Sequence, residues 1–174
     1  MAKQNTKSKK GFTIIEVVLV LAIAGLIFLM VFIALPALQR SQRDTQRRDD
    51  MARFMSQLSQ YQSNNAGKVP KTINEYNSGT GEERKGFIPN YLEAGGDSFN
   101  DPSTGEPYEV VDVSSCKGQG NECKNNSKGT DVMGDIYVYT NARCDGENPV
   151  EVQGDRKIAI TIKLEGAGVY CGNN

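Results

Sequence analysis

The 22 residues from Val17 to Leu38 contain no charged side chain. As a helix rising about 1.5 Å per residue, they cover the roughly 30 Å hydrocarbon core of a bilayer. The chain is therefore organised around a membrane-spanning helix near its N-terminus. A conventional secretory signal has a shorter apolar core, about 7–15 residues, and an A-x-A-like cleavage site after it. Here the run is longer, and Ala22-Ile23-Ala24 lies in its middle, which argues against cleavage there.

Two features separate this segment from an ordinary anchor. Glu16 lies at its start, where a carboxylate costs roughly 2.5–3.5 kcal/mol on insertion scales and calls for a partner or a function. The second feature is Gly11-Phe12, directly after Lys9 and Lys10. It offers a small residue where a short basic leader can be removed ahead of the apolar helix, so that the helix survives processing. Such a cut would create a cationic amine at Phe12 in apolar surroundings, with Glu16 as the nearby charge able to compensate it. Each group is costly alone and tolerable paired. The four-residue spacing also allows the pair within one helix. The bland alternative is that Glu16 snorkels to the interface beside the leader lysines.

The run Gly11-Phe12-Thr13-Ile14-Ile15-Glu16, after a basic leader and before a long apolar stretch, resembles the prepilin cleavage and methylation signature of type IV pilins and their pseudopilin relatives. The resemblance implies that a prepilin peptidase cuts between Gly11 and Phe12 and N-methylates the new Phe12 amine. It also implies that Glu16 pairs with such an amine on a neighbouring subunit. The partners so implied are further copies of the chain in a helical homopolymer, the cell membrane, the peptidase, and an assembly platform with its cytoplasmic ATPase. The expected location is an extracellular filament fed from a membrane-inserted pool. Many pilins carry a glycine and a proline in this helix; Gly25 and Pro36 match them in kind, as residues that loosen it. The proline sits about a turn later here than in several pilins. The likeness is strong from Lys9 to about Asn65 and covers the rest only in outline.

Charge is nearly balanced, with 20 basic and 21 acidic residues, but it is unevenly placed. Residues 54–174 hold 11 basic against 17 acidic side chains, so a general grip on nucleic acid is not expected there. Arg40, Arg43, Arg47, Arg48 and Arg53 crowd one flank of the span and the leader lysines the other, so charge alone does not orient it. The chain lacks histidine, the commonest general base and metal ligand, and nothing resembles a nucleophile with its base or a phosphate-cradling loop. Neither an enzyme nor a cofactor is expected.

Four segments follow: a leader, 1–11; one long helix, 12–66, apolar over 12–38; a connecting region, 67–107; and a sheet-bearing head, 108–174. Beyond Pro36 the helical pattern continues through Arg47, Met51, Phe54, Met55, Leu58 and Tyr61 or Gln62, an apolar stripe that needs a partner. Gly67, with Pro70 beyond, reads as the stop. At 1.5 Å per residue the helix would run about 80 Å. Short helices are expected around Thr72–Tyr76 and Pro89–Glu93, with Phe87, Ile88, Tyr91, Leu92 and Phe99 pinning the connection down. Asp101 to Tyr108 reads as a turn into a strand; Asp97, Asp101 and Glu106 offer oxygens, but not at the spacing of a recognised calcium loop. Strands are expected at Tyr108–Val113, Asp135–Thr140, Lys157–Leu164 and Gly168–Cys171. Ile158, Ile160, Ile162 and Leu164 should face the helix stripe. The fold class is α+β: a long N-terminal helix packed on a small antiparallel sheet.

Cys116, Cys123, Cys144 and Cys171 all lie beyond the span. An even count in a small loop-rich domain points to disulfides formed outside the cytoplasm, with three pairings open. The favoured pairing is Cys144 with Cys171, as in many pilins, and Cys116 with Cys123. A zinc site lacks both a C-x-x-C pair and a histidine. Asn125-Asn126-Ser127 matches a glycosylation sequon only weakly. Three functions compete: a structural pilin of a type IV pilus; a pseudopilin or minor pilin of a type II secretion or DNA-uptake machine; and a single-pass anchored binding ectodomain. The last gains nothing from a carboxylate in its span. Adhesion, twitching motility and DNA uptake lie downstream of such filaments, and no residue here selects among them.

Overall fold

The computed structural model describes residues 11–70, 73, 86–118, 123, 133–154, 156–166 and 168–174. The expected helix at Thr72–Tyr76, apart from Ile73, and the sequon at 125–127 lie outside them. The chain divides into two compact units at Gln39/Arg40. One helix, α1 (Ile14–Asn64), contributes to both.

In the first unit the described part is the apolar beginning of α1. Its large side chains, from Ile14 through Leu38, are all solvent-exposed. This helix is long and apolar enough to cross a membrane. Gly25 and Pro36 both lie within α1, and Pro36, lacking an N–H, leaves the Phe32 carbonyl one donor short.

The second unit is built on the remainder of α1. Its buried positions are Asp44, Arg47, Met51, Phe54 and Leu58, one face of a 3.6-residue repeat. The helix stops where Ala66 and Gly67 turn to positive φ, 54° and 76°, and the Gly67 amide closes back on the Gln62 carbonyl at 2.7 Å. Two successive left-handed residues cannot continue a right-handed helix.

Six strands follow: β1 (Glu109–Ser115), β2 (Asp135–Thr140), β3 (Ala142–Asp145), β4 (Asn148–Glu151), β5 (Ile158–Lys163) and β6 (Val169–Asn173). Four make a sheet in the order β1-β2-β5-β6, and β3 pairs with β4 in a separate hairpin. The sheet is mostly antiparallel, but β1 and β2 run parallel, with a bulge between Val110 and Asp112. The expected antiparallel sheet is present in β2, β5 and β6, and the β1–β2 pair departs from it. The reason is the length of the connection from Ser115 to Asp135, which is ample for the crossover a parallel pair needs, whereas a tight turn permits only the antiparallel arrangement.

Period-2 alternation sorts the sheet's two faces. Ile136 and Val138 of β2 and Ile158, Ile160 and Ile162 of β5 share a core with Met51, Phe54 and Leu58 of α1. Phe87, Ile88, Leu92 and Phe99 from the connecting region join it, and a π-helical turn at Ile88–Leu92 stands at the expected short helix. Fully burying such a side chain contributes about 1.5–3 kcal/mol. Leu164 is buried as well. On the opposite face, Tyr137, Tyr139 and Ala159 pack with Ala142 and with Cys116 and Cys123. The sheet is therefore covered on both sides, which explains why β5 is buried at every position before Lys163.

The β3–β4 hairpin lies outside the expected strands and includes Pro149, a residue that central strands exclude. The structure accommodates it in a two-stranded ribbon. Asp145 pairs with Asn148 across a two-residue loop whose first member, Gly146, has φ 63°, the positive φ that a Gly-first hairpin loop requires.

Candidate functional site

The α1 N-terminus is built from four residues. Gly11, Phe12 and Thr13 precede the helix and are exposed; Lys9 and Lys10 lie outside the described residues. Thr13 caps α1. Its amide and its hydroxyl both donate to Glu16 Oε2, at 2.8 and 2.7 Å, and the Glu16 amide donates back to Thr13 Oγ1 at 3.4 Å. This is a reciprocal capping box, the S/T-x-x-E arrangement that satisfies otherwise orphaned donors at a helix start. Thr13-Ile14-Ile15-Glu16 carried that signal in plain sight. Glu16 also sits where the helix dipole favours negative charge.

A second polar constellation lies within the second unit, where sequence reasoning expected only an apolar stripe. Arg47 is fully buried, and its five N–H donors meet five acceptors. Nε and Nη2 grip Asp101 Oδ2 and Oδ1 at 2.7 and 3.0 Å, Nη2 reaches Ser103 Oγ at 2.9 Å, and Nη1 reaches Asp44 Oδ1 and Glu165 Oε1, each at 3.1 Å. Asp44 also accepts the amides of Glu165 and Gly166, at 2.8 and 2.7 Å. Arg43 closes the arrangement with two bonds to Glu165 at 2.7 and 2.5 Å. One guanidinium thus ties α1 to the turn before β1 and to the turn between β5 and β6. Arg53 donates to the Leu92 carbonyl and to Asp97, and Tyr108 donates to Asp50. Of the three carboxylates at this turn, Asp101 holds Arg47 and Asp97 holds Arg53.

Burial would raise the Asp101 carboxyl, but the bonds from Arg47 and Ser103 and the Arg47 charge outweigh it and hold the group at about 2. The Arg43 bond lowers Glu165, with burial opposing and Arg47 assisting. Burial, against the Tyr108 bond, raises Asp50. A depressed carboxyl stabilises the fold fully above its unfolded pKa and loses that contribution as pH falls through the folded one. Asp101 should therefore contribute about 2 kcal/mol at neutral pH, lost between about pH 4 and pH 2. Asp50 acts in the opposite sense and offsets part of this. Urea titrations of the full chain in detergent at stepped pH should show the midpoint falling steeply across that window. A flat profile to pH 2 would contradict the buried pair.

The cysteines join as Cys116–Cys123 and Cys144–Cys171, with Cα separations of 5.1 and 5.8 Å. The second ties β3 to β6. Loop-closure entropy over its 27-residue separation corresponds to about 3–4 kcal/mol of stabilisation.

A family model described as the prokaryotic N-terminal methylation motif matches residues 6–32. The chain carries the class III signal peptide of type IV pilins and pseudopilins. The prepilin-type segment thus takes in the Gly11-Phe12 junction, the Thr13–Glu16 cap and most of the apolar run, and ends before the Arg47 cluster. No curated protein and no solved structure matches the chain. The motif implies peptidase processing and pilus-type assembly of a structural subunit.

Proposed function

We propose that this protein is a structural subunit of a type IV pilus. It is cut between Gly11 and Phe12, methylated on the Phe12 amine, stored in the membrane by the helix from Phe12 to Leu38, and polymerised through that same helix. The observation that carries this reading is the combination at the start of α1: a methylation motif, a helix whose large apolar side chains are all exposed, and a carboxylate at its first turn. A folded chain that leaves so much apolar surface uncovered requires lipid or other copies of itself around it. In the filament the Phe12 amine of one subunit meets Glu16 of another, and Gly25 and Pro36 give the helix local compliance during the transfer. The assembly platform, its ATPase and the peptidase are the partners of that cycle. The two disulfides suit a head exposed outside the cytoplasm.

Shearing cells and sequencing the terminal peptide of the filament protein by mass spectrometry tests the reading. The expected product begins at Phe12 and carries a methyl group on its amine. Assembled protein that begins at Met1 or Ala2 would refute the processing, and absence of the chain from sheared filaments would refute the major-subunit role.

A further inference from the structure

Resting on the filament-subunit reading, we infer that Thr13 is a positioning residue for assembly: it holds one oxygen of Glu16 so that the other is presented to the amine of an incoming subunit. Both donors of Thr13, the amide and the hydroxyl, converge on Oε2. Oε1 has no hydrogen-bond partner among the described residues. A carboxylate with two acceptor oxygens thereby divides its work within one side chain.

The arrangement has consequences at each stage of the cycle. Before assembly, two hydrogen bonds and the helix N-terminus compensate a charge that apolar surroundings penalise heavily. The Glu16 side chain, otherwise free to sample many rotamers, is fixed in advance, so the pairing step need not order it. Processing leaves the box intact, because the Gly11–Phe12 bond lies outside the Thr13–Glu16 unit and the Thr13 amide persists after the cut. The new amine then appears one residue before the cap.

The test is incorporation of a tagged variant into filaments made with the wild-type chain, counted as tagged protein in sheared filaments relative to cleaved tagged protein in the membrane. Thr13→Val keeps the shape and removes the hydroxyl, and should lower the ratio about tenfold, the size expected for a hydrogen bond to a charged group. Thr13→Ser should stay within about twofold of wild type. Thr13→Gly separates helix capping from positioning, since glycine caps a helix nearly as well as threonine; it should fall as far as Val. In a Glu16→Gln background, adding Thr13→Val should change the ratio less than about twofold, because there is no longer a charge to present. Val at parity with wild type overturns the inference, as does Gly at parity while Val fails, which would reduce Thr13 to a helix cap. Glu16→Gln at parity would overturn the inference by removing the charge pairing it depends on, whereas absence of wild-type tagged protein from sheared filaments would bring down the filament-subunit reading itself.

Discussion

Glu16→Gln, expressed as the sole copy of the chain, should insert into the membrane at normal levels and form filaments at about one-hundredth of the wild-type amount or less. Glutamine is the gentlest available change. It keeps the length of the side chain and an oxygen able to accept the Thr13 amide and hydroxyl, and it is accepted at the third position of a capping box. The start of α1 is therefore preserved, and with it the stored form of the protein. What disappears is the negative charge. In a filament the apolar helices exchange lipid for protein, two environments of similar polarity, so packing contributes little preference for one axial register over another. A charge pair in a medium of low dielectric supplies that preference, and removing one member strands the other at a cost of roughly 3–5 kcal/mol, or about two orders of magnitude or more in an equilibrium. Counting filaments by negative stain at matched protein levels decides the matter. Filaments of ordinary number and length that contain the variant would remove the basis for the Glu16–Phe12 pairing.

Arg47→Met should destabilise the folded part beyond Arg40 by about 3–5 kcal/mol, the usual result of breaking a buried ion pair from one side. In melting temperature this is about 10–20 °C for a unit of this size. Methionine fills much of the arginine's volume, so the loss comes from what is left behind: Asp101 without either of its guanidinium bonds, and Asp44 and Glu165 each short of one. Against a typical total stability of 5–15 kcal/mol, such a loss brings the fold near its limit. Arg47→Lys keeps the charge but cannot reproduce the planar five-donor fork, and should fall between Met and wild type. Adding Asp101→Asn to Arg47→Met removes a stranded charge and should recover part of the loss. Thermal unfolding of the full chain in detergent, followed by near-ultraviolet circular dichroism of its tyrosines, gives the comparison. A loss below about 1 kcal/mol for Arg47→Met would mean that the cluster behaves as a solvated surface pair.

The N-terminal methylation motif is legible in the sequence because it consists of local, one-dimensional features. A charge-free run, a carboxylate at its start and a Gly-Phe junction after two lysines are patterns along the chain, and the physics that interprets them, the cost of charge in hydrocarbon and the rise of a helix, needs no tertiary contact. The helix stripe through Met51, Phe54 and Leu58, the stop at Gly67 and the alternation in β5 were readable for the same reason: helical and strand periods are properties of consecutive residues. Thr13 carried its capping signal there too.

Other features were decided only when distant segments met. Whether β1 lies parallel or antiparallel to β2 depends on where a long connection returns the chain, which no period within either strand encodes. The β3–β4 hairpin forms despite Pro149, because a two-residue loop with Gly146 brings the strands together and a face of the sheet needs covering. The role of Arg47 is the clearest case. On the helix stripe it is a charge in an apolar row, and its meaning comes from Asp101 and Glu165, 54 and 118 residues away. A buried charge is tolerable only when its partners are placed in three dimensions, and that placement belongs to the tertiary structure.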